Sequence, residues 1–292
     1  MTSRVSDLTL SQTAIQSLQA SLSQVADLQN EASSGKKLTK PSDDPVGIGE
    51  ALTLQASLNR NTQLTANIND AEGWLGTTGS TLGQVVTQLQ QVNSLVIQAA
   101  NSSNGQTAND AISDQIDQIR QSLIGLANTQ YNNRPLFGGT TAGTAAYDSS
   151  GNYVGISAPV QRTIAPGVQV QVNVNGNTAF GTPGNDVFTT LNQISAAIEA
   201  GTPLDTLSTQ LQTQLQQVES VQAQVGATYS RVETVGTQNT TNATTTQTNL
   251  SNVEDADMSQ VLMDLQSQET TYQSALAAAA KAIQPSLASF LQ

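Results

Sequence analysis

The feature that most restricts this chain is an apolar stripe at heptad spacing close to its C-terminal end. Met258, Leu262, Leu265, Tyr272, Leu276, Ala279, Ile283 and Phe290 step by threes and fours, with Glu269 and Ser286 as the polar slots. Sustained over about four heptads, this is the a/d seam of a coiled coil. So narrow a stripe cannot bury itself and needs a second helix, from this chain or from a neighbour. Chain ends usually fray unless they dock, yet Lys281 is the only charge after Glu269. The opposite end carries a matching stripe, Leu8, Ile15, Leu18, Leu22, Val25 and Ala32, interrupted by Ser11 and Gln29. The economical solution is for the two ends to pair.

Between them the pattern is helical for most of the chain. The first helix should stop at Ser33-Ser34-Gly35, because glycine just past a periodic run is a stop signal. Lys36, Lys37 and Lys40 follow and read as a solvated loop. Asp43 or Asp44 is expected to cap a helix whose first residue is Pro45. From there Ile68, Ala71, Leu75, Leu82, Val85, Leu89, Val92, Val96 and Ala99 hold one register, with Thr78 its polar member. Glycines 73, 76, 79 and 83 each cost a helix about 1 kcal/mol relative to alanine. They mark either a break or a close helix–helix approach around Trp74. After a turn at 101–105, Ile112, Ile116, Ile119 and Leu123 give the buried face of another helix, and the short connection favours an antiparallel hairpin.

The character changes at Tyr131. Val168, Val170, Val172 and Val174 alternate with polar residues as in a half-buried strand, and Asn175-Gly176 is a hairpin signal. A second hairpin is read from Tyr147 to Val154. The expectation is a small, exposed β insertion without a deep core. Helical spacing returns at Leu191, Ile194 and Ile198, breaks at Gly201-Thr202-Pro203, and resumes through Leu204, Leu207, Leu211, Leu215, Val218, Val221, Val225, Val232 and Val235. The tract from Thr237 to Asn249 has poor helix propensity but keeps the register, so helix is expected and a linker is the alternative.

Composition agrees with thin packing. Only 3% of residues are aromatic and 11% charged, against roughly 25% charged in an average globular chain. A net charge of −12 argues against nucleic acid as a partner. With neither cysteine nor histidine, disulfides, thiolate metal sites and the common nucleophile–base pairs are excluded. Asp110, Asp114 and Asp117 share a helix face, and Glu254, Asp255 and Asp257 cluster near the last helix. Both sets are read as acidic helix starts facing the dipole rather than as metal ligands. No catalytic, cofactor-binding or metal-binding residue is nominated. Residues 1–20 lack the apolar core of a cleaved signal peptide, and no apolar run is long enough for membrane insertion.

Several stretches carry a family resemblance. Gln29-Asn30-Glu31-Ala32-Ser33-Ser34-Gly35-Lys36-Lys37 followed by Pro41-Ser42-Asp43-Asp44-Pro45-Val46-Gly47 resembles the N-terminal signature of the bacterial flagellin superfamily. Asn67 to Leu75, Ala127 to Gly139 and Tyr272 to Leu276 agree with it. Arg4-Val5-Ser6 and the proline-flanked Pro41–Gly47 resemble the hook–filament junction branch more than the flagellins.

That resemblance implies a mainly α fold: an elongated antiparallel helical bundle and coiled coil from the paired terminal regions, with a small β domain inserted. The expected division is 1–40 with 252–292 as a terminal coiled coil, 41–135 with 185–251 as a helical bundle, and 136–184 as the insertion. It further implies a structural role without substrate or cofactor, and terminal segments that order on assembly. Its implied partners are further copies of the chain, hook-associated protein 1, flagellin and a flagellar export chaperone. Export would leave the subunit outside the cell without a cleaved signal peptide. A filament flagellin is the alternative, and a secreted enzyme or adhesin using the insertion is the remote one. The implied assembly residues are Leu8, Ile15, Leu18, Leu22, Val25, Leu262, Leu265, Tyr272, Leu276, Ile283 and Phe290. Pro285 is expected to kink or end the last helix.

Overall fold

Helix α1 (Thr2–Ser34) ends where Gly35 adopts a φ of +70°, a left-handed turn that any side chain would resist. Helix α2 (Pro45–Ala99) begins at proline, whose missing N–H is of no consequence in a first turn. Asp44 caps it as expected, its Oδ1 accepting from the Val46 N–H at 3.0 Å. This computed structural model describes residues 2–42, 44–100 and 105–288; the side chains of 2–8, 10, 11 and 281–288 lie outside the description. Asp43, the other expected cap, falls outside it as well.

α2 runs unbroken through its glycines. Its register is the one read from the sequence: Leu75, Leu82, Val85, Leu89, Val92 and Val96 are all at most 2% exposed. Thr78 fits among them because its hydroxyl donates back to the Trp74 carbonyl at 2.8 Å. The glycines mark close approaches. A Cβ on Gly73 would lie 2.2 Å from the Tyr131 hydroxyl, and Gly76, Gly79 and Gly83 face Tyr229, Val225 and Gln222 of helix α6 (Asp205–Glu254). The pairing descends along one helix as it ascends along the other, so this contact is antiparallel.

α6 also passes through the Thr/Asn/Gln tract as helix. Asn239 explains how: its Nδ2 donates to the Asn61 carbonyl at 3.0 Å and to Thr65 Oγ1 at 2.8 Å. An amide thus occupies a seam position at 6% exposure with its donors satisfied, and Leu250 resumes the stripe. Helices α3 (Gln106–Ala127) and α5 (Val187–Glu199) pack on the same core, burying Ile112, Ile116 and Leu123 from one and Leu191, Ile194 and Ile198 from the other.

The segment between α3 and α5 differs from expectation in two ways. Its strands are short: β1 (Gln130–Tyr131) with β2 (Arg134–Pro135), β3 (Gln161–Ala165) with β4 (Val168–Gln171), and β5 (Gly181–Thr182) with β6 (Asn185–Asp186), each pair antiparallel. First, Asn175-Gly176 makes no hairpin. Asn175 precedes a short helix α4 (Gly176–Phe180), and Gly176 lies under the Tyr147 hydroxyl where a Cβ would come within 2.5 Å. Second, the segment is not coreless. Phe137, Tyr147, Phe180 and Phe188 form an edge-to-face cluster, with Tyr147 and Phe188 centroids 4.9 Å apart, and each ring is at most 2% exposed. The hairpin read from Tyr147 to Val154 is present as a Tyr147–Tyr153 bridge turned by Gly151.

The signature around Asn67 serves as the seat for this segment. Asn67 Nδ2 donates to the Thr163 carbonyl at 2.9 Å, Asp70 Oδ2 accepts from Arg162 Nε at 2.6 Å, and Trp74 meets Tyr131 edge-on beneath Arg134.

Helix α7 (Met258–Ala288) closes the described chain and continues through Pro285, where a kink or stop was expected. Contacts divide the chain into two compact units, Met1–Asn59 with Thr244–Gln292, and Arg60–Ala243, so the division falls within α2 and α6 and places 136–184 in the second unit.

Candidate assembly surface

The first unit is built on α1 and α7. At one end of the pair the loop after α1 is fastened to the joint between α6 and α7. Gly35 O accepts from Ala256 N at 2.9 Å, Lys37 N donates to Glu254 O at 2.8 Å, and Lys37 Nζ reaches the Asn252 carbonyl at 3.1 Å. Lys36 forms an ion pair with Glu254, and its backbone bridges to Asp255. The lysine cluster read as a solvated loop is therefore a clasp in two of its three members, and Lys40 sits 3.5 Å from Asp27.

The acidic groups are likewise not all helix starts. Glu254 ends α6, Asp255 is bonded to Ser251, and only Asp257 caps a helix, accepting from Ser259 N at 2.9 Å. In α3, Asp110 accepts from Gln106, and Asp117 lies 3.7 Å from Arg120. Neither belongs to the first turn, which holds no acidic residue. Among the described residues no group of three carboxylates comes together as a cation site.

Farther along the pair, Gln268 Nε2 donates to Gln24 Oε1 at 2.7 Å and to Ser21 Oγ at 3.2 Å. With Lys36 against Glu254 at one level and Ser21 against Gln268 at another, α1 and α7 are antiparallel. The residues turned toward the partner also repeat at heptad spacing. In α1 they are Ala14, Leu18, Ser21, Val25 and Leu28; in α7 they are Val261, Leu265, Gln268, Tyr272, Ala275 and Ala279.

The observed seam is not the one the apolar pattern favours. Leu18, Val25, Leu265 and Tyr272 are turned inward as expected. Ile15, Leu22, Leu262 and Leu276 are not: they are 47, 51, 55 and 43% exposed. Sequence reasoning missed Val261, Ala275 and Gln268 in their place, because an Ala/Ser/Gln set carries little hydrophobic signal. The side chains of Leu8 and Ile283 lie outside the described ones, and Phe290 lies outside the described residues.

The four outward residues each stand one position beyond a seam residue, in the same sense along both helices. In an antiparallel pair, equal offsets fall on the same side, because the axis relating the helices is perpendicular to the plane that contains them. Ile15 and Leu22 therefore share a face with Leu262 and Leu276. No described helix is long and apolar enough to cross a membrane. A two-helix face with four half-exposed aliphatic side chains is a contiguous apolar surface of the kind that marks an interaction site.

Comparison with known proteins supplies the context. Residues 5–142 match the family model described as the bacterial flagellin N-terminal helical region. Over 176 residues the chain is 27% identical to flagellar hook-associated protein 3 of Escherichia coli (strain K12), an alignment covering 60% of this chain and 53% of that protein. It is 23% identical over 273 residues to flagellar hook-associated protein 3 of Salmonella typhimurium, covering 84% of this chain and 86% of that one. The crystal structure of Bacillus cereus FlgL superposes with a TM-score of 0.61 at 27% identity, over 68% of this chain and 99% of the crystallised one. The chain thus spans about half of the first relative's length and most of the second's.

Proposed function

This chain is kin to flagellar hook-associated protein 3 in sequence and in fold, and from that premise we propose that it is a structural subunit at the junction between hook and filament. The observation that carries the reading is the outward aliphatic face of the α1–α7 pair. A lone subunit leaves Ile15, Leu22, Leu262 and Leu276 in water, whereas repeated contacts that do not close on themselves cover such a face in a helical array. We assign the polymerising role to the terminal parts, 1–40 with 252–292; in the sequence Leu8, Ile283 and Phe290 continue the heptad spacing of that stripe. The residues turned inward, Leu18, Val25, Leu265 and Tyr272, hold the pair together.

In this reading the neighbours are further copies of the chain, hook-associated protein 1 on the hook side and flagellin on the filament side. A flagellar export chaperone meets the subunit before export. Passage as an unfolded chain is supported by the absence of cysteine, since no cross-link obstructs threading. The role is mechanical: the subunit matches two different neighbours and transmits torque between them.

Deleting the gene tests this. The expected outcome is bare hooks, with flagellin released as monomer into the medium and attachment restored by the intact gene. Attached filaments in the deletion strain would overturn the junction role. Long filaments grown from the purified chain on seeds would favour a filament flagellin instead.

A further inference from the structure

Each of the two paired helices carries two heptad stripes side by side, and they share Leu18 and Val25 on α1 and Leu265, Tyr272 and Ala279 on α7. One stripe adds Ile15, Leu22, Leu262 and Leu276; the other adds Ala14, Ser21, Val261, Gln268 and Ala275. Burial of apolar area alone selects the first, and the molecule uses the second. Something other than apolar burial therefore sets the rotational phase of the pair.

We propose that the neighbouring residues Gln268 and Glu269 set it, as positioning residues that hold the larger apolar stripe outward. Gln268 draws its side of α7 inward through its hydrogen bonds to Ser21 Oγ and Gln24 Oε1. Rotation of each helix by one position carries Gln268 to the flank and breaks both bonds. The same rotation brings Glu269 into the seam, between Leu262 and Leu276 and at the level of Leu22. From Leu18 to Val25, about one turn either side of that level, α1 has no cationic residue. A carboxylate there loses hydration without gaining a cationic partner. One residue rewards the observed phase and its neighbour penalises the alternative, which is how a polar position in a coiled coil selects a single arrangement at the expense of stability.

The proposal goes beyond the assembly reading. The phase itself is a property of the isolated chain; only the use made of the outward stripe rests on that reading.

Moving the carboxylate by one position tests the phase at constant net charge. The variant is Gln268→Glu with Glu269→Leu, which places the charge on the present seam and completes the aliphatic stripe. The chain has no cysteine of its own, so introduced pairs report without background. A disulfide needs Cα atoms within about 7 Å. In the parent, Ala14→Cys with Ala275→Cys should link readily under mild oxidation at low protein concentration. Ile15→Cys with Leu276→Cys should link at least tenfold more slowly. In the exchanged background the order should reverse. Three results overturn the proposal, the first two being an unchanged order, which assigns the phase to the clasp at Lys36 and Lys37, and equal linking of both pairs in the parent, which denies a fixed phase. Loss of both links in the exchanged protein also overturns it, since Gln268 would then hold the pair rather than orient it. Because linking is read without assembly, its failure leaves the junction reading standing, and failed assembly leaves the linking result standing.

Discussion

The contact between α2 and α6 in the second unit and the contact between α1 and α7 in the first use the same heptad period and end in different states. The first is closed. Leu82, Val85, Leu89 and Val92 of α2 and Leu211, Val218 and Val232 of α6 are wholly buried, because α3, α5 and the aromatic segment complete the core around them. The second is open on one side. Val25, Val261 and Ala279 are buried, while Ile15, Leu22, Leu262 and Leu276, each one position beyond a seam residue, remain about half exposed. Periodicity reports that a helix has a partner. It does not report how many partners the helix awaits, and in the terminal pair a stripe of aliphatic residues is left uncovered by the chain itself.

The comparison can be broken most forcefully at equivalent leucines. Leu89→Ala removes a fully buried side chain and should cost about 2–5 kcal/mol of stability. Leu276→Ala, at a half-exposed site, should cost no more than about 1 kcal/mol. Urea melts followed by the fluorescence of Trp74, the single tryptophan, read the first. Melts followed by far-ultraviolet circular dichroism read the second. Equal losses would mean that the terminal pair is as closed as the core.

A smaller effect sharpens the closed side. Tyr147 is buried with its hydroxyl unpartnered. Burial first, then the neighbouring Tyr153 and Asp186, push its pKa well above the usual 10.0. A raised folded-state pKa gives stability that is fully present below about pH 10 and is lost as pH rises beyond it, because the unfolded chain releases the proton first. Tyr147→Phe should therefore change stability near neutral pH by less than about 1 kcal/mol, since it deletes an unsatisfied group. It should also flatten the alkaline fall measured by pH-jump unfolding. An undiminished alkaline fall would assign that fall to other groups.

How much of this was legible follows from the same contrast. The register of α2 could be read from Ile68 to Val96 because burial surrounds it and leaves one solution. The polar tract of α6 was legible as helix through its register, although Asn239's pairing with Asn61 and Thr65 has no sequence signal. In the terminal pair, two overlapping stripes compete and hydrophobicity ranks them in the wrong order, since it gives no weight to a hydrogen bond made by Gln268. The aromatic core was hidden for another reason: Phe137, Tyr147, Phe180 and Phe188 are far apart in sequence and follow no period. The clasp of Lys36 and Lys37 was missed because its partners, Asn252 and Glu254, lie at the other end of the chain.

The central claim is that the outward stripe is surplus to the folded subunit and required by the assembled one. Leu22→Gln combined with Leu276→Gln tests it most directly, because glutamine keeps helix propensity while removing the aliphatic surface. Introduced into a strain that lacks the native gene, this variant should melt within about 2 kcal/mol of the parent when purified and yet leave hooks bare, counted by electron microscopy. Filaments attached at the parental frequency, on a subunit of parental stability, would contradict the account.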